Sequence, residues 1–269
     1  MDLCIYHGNC ADGFGAAWAV RHSGLVSEFH AGVYQEPPPD VTGKRVVMVD
    51  FSYKRPVLLE MAKQAKSILI LDHHKSAMED LKNLPPNVET VFDMSKSGAR
   101  LAWEHFNPGK EPPKLLGHIE DRDLWRFALP FTREIQANVF SHPYDFEVWD
   151  ELMRTPVETL VAEGRAIERK HFKDIKELLA VTKRTMEIGG VVVPVANLPY
   201  TFSSDAGHIM AEDAPFAACY WDVADGRVFS LRSNDGGVDV YKIAVQYGGG
   251  GHPRAAGFKV PLGHPLRLA

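Results

Sequence analysis

Cysteine is scarce: Cys4, Cys10 and Cys219 are the only three in 269 residues. Their wide spacing makes neither a disulfide framework nor a zinc-ribbon pattern. No apolar run approaches the ~18 residues that span a bilayer. The opening stretch MDLCIYHGNC lacks the basic start and apolar core of a secretory leader. A cytoplasmic protein with no membrane partner is the expectation. There is no surplus of basic charge either. Lys and Arg number 30 against 35 Asp and Glu, a formal net charge of −5. That balance argues against a broad nucleic-acid-coating surface but leaves room for a local basic pocket. No internal repeat or low-complexity segment stands out. What remains is an ordinary globular composition, 45% hydrophobic and 24% charged.

Along the chain, strand-like and helix-like segments alternate. DLCIYHG, SEFHAGVY, KRVVMVDFS and ILILDHH read as strands, and DGFGAAWAVRHSG and PVLLEMAKQAKS as helices. Such alternation predicts a parallel sheet with crossover helices. TPVETLVAEGRAIERKHFKDIKELLAVTKRT reads as one long amphipathic helix, with Thr155 as N-cap, Pro156 at the first helical position and Glu158 completing a capping box. Beyond it, GGVVVPVANL, AACYWDV and RVFSLRSN read as strands and VYKIAVQYG as a helix. The expected fold class is α/β: a parallel-sheet N-terminal domain with flanking helices (1–150), a linking helix (151–185) and a smaller α/β C-terminal domain (186–269), with a cleft between the domains.

The chemistry gathers at strand ends. His7, Asp50 and the run Asp72-His73-His74 each follow an apolar strand directly. In an open parallel sheet, ligands bind beyond the carboxyl ends of the strands. Asp12 lies in the following loop, and IEDRDLWRF adds Asp121 and Asp123. An isolated acid at a strand end is usually a cap or turn residue, and an isolated histidine is usually satisfied within the fold. Three such ends on one edge, one with a histidine doublet, fit a metal centre better. Clustered carboxylates repel unless a cation neutralises them. Mixed His and Asp donors suit Mn²⁺, Fe²⁺, Co²⁺ or Zn²⁺, and an oxygen-rich set favours Mn²⁺ or Mg²⁺. The absence of thiolate ligands disfavours a structural zinc.

These motifs resemble the DHH phosphoesterases. The namesake triplet is Asp72-His73-His74; YHGNCADGFGAAW, VMVDFS, SKSGARLAWEHF and IEDRDLW are similar to the family's other motifs, and VFSLRSN with YGGGGHPRAAGF resembles its DHH-associated C-terminal domain. The resemblance implies that His7, Asp12 and Asp50 hold one metal and that Asp50 bridges to a second, held also by His73 and Asp121. The ion would be Mn²⁺, one or two per chain, with Mg²⁺ or Co²⁺ as alternatives. Asp72, His74 and Arg254 would be catalytic, with His74 lying over the substrate phosphate. Arg232, Ser233, Gly249, Gly250, Gly251, His252 and Arg254 would join His74 in binding substrate. Arginine offers a fork of donors matched to phosphate oxygens, and glycines let backbone N–H groups approach an anion. A helix after the glycines would add its positive end.

One departure stands out. The family's first motif usually carries a second acid two residues after the first, but Phe14 stands there; Asn9, Asp123 or a water are the candidate substitutes, and Asp123 reads equally as a partner of Arg122 or Arg126. If the backbone follows the family, Phe14→Asp would tighten the second metal. Ser95, Ser97 and nearby N–H groups offer a phosphate cradle, and Tyr200 a stacking surface; Cys10 reads as a small buried thiol. The expected activity is hydrolysis of short single-stranded oligonucleotides or small phosphorylated nucleotides by metal-activated water. The alternatives are an exopolyphosphatase or pyrophosphatase, and a non-catalytic phosphate- or nucleotide-binding module. An oligomer is compatible with all three.

Overall fold

A computed structural model describes residues 1–34 and 36–266, so the last three residues of the expected C-terminal domain lie outside it. The chain is α/β and divides into two compact units, Met1–Glu168 and Arg169–Ala269.

The first unit runs β1 (Leu3–His7), α1 (Ala11–His22), β2 (Glu28–Gly32), β3 (Arg45–Val49), α2 (Arg55–Gln64), β4 (Ser67–Asp72), α3 (Lys75–Asp80), β5 (Val88–Phe92), α4 (Gly98–Phe106), α5 (Lys114–Asp123), α6 (Thr132–Val139) and α7 (Phe146–Arg154). Its sheet has the order β2-β1-β3-β4-β5, with every pairing parallel. The central strands are buried on both faces, which is why they read as unbroken apolar runs. Val47, Val49, Leu69 and Leu71 pack with Phe14, Trp18 and Trp103. Val46, Met48, Ile68 and Ile70 pack with Leu58 and Met61. Alternate residues of the same strands thus fill two separate cores, one under each helical layer.

The long helix α8 (Val157–Thr182) contains the division between the units. Its start differs from expectation. Thr155 does not cap it; its hydroxyl donates back to the Glu151 carbonyl at 2.8 Å, finishing α7. Pro156 lies one position before the first helical residue, and its carbonyl accepts from Thr159 and Leu160. A hydroxyl four residues beyond a carbonyl of the last helical turn has a nearer partner than the next helix's N–H groups.

The second unit continues with β6 (Arg184–Ile188), β7 (Val191–Asn197), α9 (Tyr200–Met210), β8 (Ala217–Val223), β9 (Gly226–Arg232), α10 (Val240–Gln246), β10 (Gly250–Gly251) and β11 (Ala255–Val260). Its sheet has the order β10-β11-β9-β8-β7-β6, mixed because β7 and β8 run parallel and the other pairs antiparallel. The long helix therefore ends at Thr182, short of the expected 185, and a hairpin closed by Gly189-Gly190 follows. Both glycines have positive φ, as a two-residue hairpin turn requires.

Candidate metal centre

Because β1, β3 and β4 are parallel neighbours, their carboxyl ends share one edge. His7 ends β1, Asp50 follows β3, and Asp72 ends β4 just before the histidine doublet. Asp50 sits in left-handed backbone, φ 55°, while its N–H still donates to the Leu71 carbonyl at 2.9 Å. A non-glycine residue in that region costs about 1–3 kcal/mol, and such residues concentrate at functional sites. The turn aims the Asp50 carboxylate at both histidine strands. Gly98 lies directly behind it, where a Cβ would come within 2.4 Å of the Asp50 Cβ. Any larger residue there would displace the carboxylate.

Three carboxylates surround one imidazole nitrogen. Nε2 of His73 lies 3.1 Å from Asp50 Oδ1, 3.5 Å from Asp123 Oδ2 and 3.8 Å from Asp12 Oδ2. His7 Nδ1 lies 3.4 Å from the other Asp50 oxygen. Asp12, Asp50 and His73 form one group whose donor atoms can share an ion; His7, Asp50 and His74 form another, with Asp50 common to both. The resemblance implied that Asp12 would serve with His7, whereas here it sits beside His73. Asp12 also accepts hydrogen bonds from Gly98 at 2.6 Å and Ala99 at 3.0 Å, at the start of α4. The N–H groups expected to cradle a phosphate are thus taken by Asp12, and Ser97, fully buried, caps its own helix.

The clustered carboxylates shift one another's protonation and that of the histidines. Burial works against the imidazolium of His73, yet the Asp50 hydrogen bond and the charges of Asp123, Asp50 and Asp12 lift its pKa to about 11. Burial, with Asp123 and Asp50, drives the Asp12 carboxyl well above its ordinary range. Burial opposes ionisation of Asp50 as well, but His7 and His73 hold its pKa well below the usual carboxylate range. In the metal-free protein, protons balance the cluster; a hard dication would do so with better geometry. The donor set fits such an ion.

Asp72 has a different place. Its Oδ1 accepts from the backbone N–H of His73 at 2.7 Å and of His74 at 3.2 Å, and pairs with His74 Nδ1 at 2.7 Å. It orients the doublet. A proton on Nδ1 of His74 shared with Asp72 leaves Nε2 as that ring's lone-pair nitrogen.

Asp121 is not brought into the cluster. Its carboxylate accepts from Ala128 N at 2.8 Å, Leu129 N at 3.0 Å and Thr132 Oγ1 at 2.6 Å. It closes the turn after α5, in which Trp125, Phe127 and Phe131 all have positive φ. Two residues on, past the helix face that carries Asp121, Asp123 meets His73. The spacing D-R-D held both candidates, and only the helical phase at the end of α5 separates them.

Phe14 explains the departure from the family pattern. It is 2% exposed and stacks on Phe146 at 4.8 Å, with Trp149 at 4.9 Å and Tyr6 at 5.7 Å. The position faces the core and not the metal centre, so the expected gain from Phe14→Asp does not follow. The substitution should instead cost about 3–5 kcal/mol for the lost ring, and more for the buried carboxylate. Thermal melts should show a large fall in Tm, and Mn²⁺ calorimetry no tightening. A variant of normal Tm with tighter Mn²⁺ binding would contradict this placement.

Within the second unit, the implied phosphate-binding residues come together at the end of β9 and the start of β11. Arg232 donates to Ser230 Oγ at 3.0 Å and the Leu231 carbonyl at 2.9 Å. Ser233 N–H donates to the Arg254 carbonyl at 3.1 Å, and Arg254 donates to the Gly237 carbonyl at 2.6 Å. The Ser233 hydroxyl, 1% exposed, has no hydrogen-bond partner among the described residues. The backbone of His252 pairs with that of Ala255 in the turn between β10 and β11. Among the described residues no helix follows the glycines; Gly250 and Gly251 form β10. A Cβ on Gly249 would lie 2.0 Å from the Gly257 carbonyl, so close strand packing already requires that glycine. Tyr200, 62% exposed, opens α9.

The fold and cluster define a two-unit α/β protein with a candidate divalent-metal centre at the carboxyl edge of its parallel sheet. The chain is 33% identical over 286 residues to the uncharacterized protein R106 of Acanthamoeba polyphaga mimivirus, across 96% of this chain and 67% of that protein, and belongs to its family. No protein-family model matches the chain. Among solved structures, it is similar to a pGpG-specific phosphodiesterase, PggH, from Vibrio cholerae, with a TM-score of 0.49 at 14% identity over 97% of this chain and 93% of that one. It is also similar to an exopolyphosphatase-related protein from Bacteroides fragilis, with a TM-score of 0.48 at 12% identity over 96% and 86% of the two chains.

Proposed function

We propose that the chain is a metal-dependent phosphohydrolase of the DHH type, acting on short single-stranded oligonucleotides or small phosphorylated nucleotides. The convergence of Asp12, Asp50 and Asp123 on His73 Nε2, all within 3.8 Å, carries this reading. Mn²⁺ is the proposed ion, with Mg²⁺ or Co²⁺ as alternatives, one or two per chain. Asp12, His73 and Asp123 hold one side of the centre, His7 and His74 the other, and Asp50 serves both. When bound, the ion lowers the pKa of water and offsets charge on phosphoryl oxygens. Asp72 fixes the ring of His74 through Nδ1, which turns the other ring nitrogen to the ion. Within the second unit, Arg232, Ser233, His252 and Arg254 offer donors to a phosphate group. Among the described residues no helix is long and apolar enough to cross a membrane.

The test is a substrate panel run on chelator-stripped protein with and without added Mn²⁺. It holds single-stranded DNA and RNA from dimers to decamers, pAp, cyclic dinucleotides, pyrophosphate and polyphosphate, with products separated by chromatography. Mn²⁺-dependent release of nucleotides is the expected result. Turnover of polyphosphate alone would favour a phosphoanhydride hydrolase. Full activity after rigorous chelation would overturn the reading.

Metal binding should depend steeply on pH. A ligand histidine must lose its proton to bind, and the His73 pKa of about 11 lies far above neutrality. Each ion bound at His73 therefore displaces at least one proton, with the raised Asp12 carboxyl able to add to it, and apparent Mn²⁺ affinity should rise at least about tenfold per pH unit between roughly pH 6 and 8. Calorimetry in buffers of different ionisation enthalpy would measure the released proton; affinity independent of pH would contradict the assignment of His73.

A further inference from the structure

Tyr34 stands in the loop after β2, a position that no motif singles out. It is 45% exposed, while its ring is pinned from one side. The His7 ring lies 5.3 Å away at 65°, an edge contact, and the Phe51 ring 4.9 Å away at 38°. Phe51 follows Asp50 directly, is fully buried, and is braced at 90° by Tyr53 at 4.9 Å. Two side chains of the metal-centre wall thus hold an aromatic ring on its rim, with almost half of its surface left to solvent.

A lone exposed aromatic residue is ordinary on a protein surface. The position of this one is what matters. A phosphoryl group drawn to the centre by His7 and Asp50 would lie beside the Tyr34 ring, because that ring packs on His7 and on Phe51, the residue after Asp50. A planar ring with two side-chain torsions gives stacking area at small entropic cost. Stacking tolerates any base, because every base has a π-face. An inorganic phosphate chain has none and would gain nothing from the ring.

We infer that Tyr34 is the residue that selects nucleoside phosphates over inorganic ones, by stacking on the base attached to the phosphate at the metal centre. The inference rests on the phosphohydrolase reading and adds the recognition element to it. Tyr34 acts on binding of the nucleoside and not on metal retention.

The experiment compares two ligands on the Mn²⁺-loaded full chain by calorimetry: a dinucleoside phosphorothioate, which is hydrolysed slowly, and inorganic phosphate. Y34A should weaken the phosphorothioate by roughly 5- to 150-fold, the span expected for one stacked base, with a much smaller change for phosphate. Y34F should stay close to wild type for both, since the ring does the stacking. Mn²⁺ affinity should be the same in all three proteins. Equal weakening of both ligands in Y34A, or no weakening, would overturn the inference. So would a Y34F as weak as Y34A, which would assign the effect to the hydroxyl. A wild type that binds phosphate with Mn²⁺ yet prefers it to the phosphorothioate would remove Tyr34 as a selector and leave the metal centre standing. A wild type that binds neither would remove both.

Discussion

Asp50→Ala is expected to strip the chain of divalent metal and to lower phosphoester hydrolysis at least ~100-fold, since losing even an outer-shell partner costs about 10–100-fold in metal affinity. One oxygen of Asp50 lies 3.1 Å from His73 and the other 3.4 Å from His7. No other side chain belongs to both groups that can share an ion in the first unit. Asp50→Asn is the companion variant, because asparagine also tolerates left-handed backbone and keeps the shape while removing the charge. Both variants should lose Mn²⁺ in calorimetry, and Asn should keep the wild-type Tm more closely than Ala. An Asp50→Asn protein that binds Mn²⁺ as tightly as wild type would show that the charge at this position does not hold the ion.

The second large effect separates two acids that the sequence leaves side by side. Asp123→Ala should weaken Mn²⁺ by about 10–100-fold or more with little change in Tm. Asp121→Ala should do the reverse. Its carboxylate holds two backbone N–H groups and a hydroxyl in a turn of three left-handed aromatic residues. Hydrogen bonds to a charged group are worth about 1.5–3 kcal/mol each and do not simply add. A loss of about 2–4 kcal/mol is expected, or roughly 5–15 °C in Tm. The pH dependence supplies a further check. Burial raises the Asp121 pKa, but its bonds to Thr132, Ala128 and Leu129 outweigh that and leave it below the ordinary value. A depressed carboxylate contributes stability that is full above its unfolded pKa of about 3.9 and vanishes as pH falls through the folded value. The Tm gap between wild type and Asp121→Ala should therefore be widest near neutrality and close in strong acid. If Asp121→Ala lost the metal and kept its Tm, the roles would be exchanged.

Much of this architecture was legible in the residues. The runs RVVMV and ILIL, too apolar for a half-exposed strand, marked central strands of a parallel sheet, and parallel order put His7, Asp50 and the Asp72 triplet on one edge. The hairpin at Gly189-Gly190 was missed, because the helical periodicity before it carried the expected helix into β6. What pattern could not supply was rotation. Asp12 and Phe14 are neighbours on one helix, and only packing shows that Phe14 meets Phe146 and Trp149 while Asp12 turns to α4 and His73. The choice between Asp121 and Asp123 depended on where α5 ends, and helix ends are the least certain feature of a sequence. Tyr34 left no signal, because a loop tyrosine gains meaning only from the rings beside it.

Anomalous scattering from crystals soaked in Mn²⁺ tests the metal centre most directly. A peak is expected among Asp12, Asp50, His73 and Asp123, and with a second ion another among His7, Asp50 and His74. Asp121 should lie outside both coordination shells. Well-diffracting crystals with Mn²⁺ bound only elsewhere, or with a peak coordinated by Asp121 in place of Asp123, would contradict it.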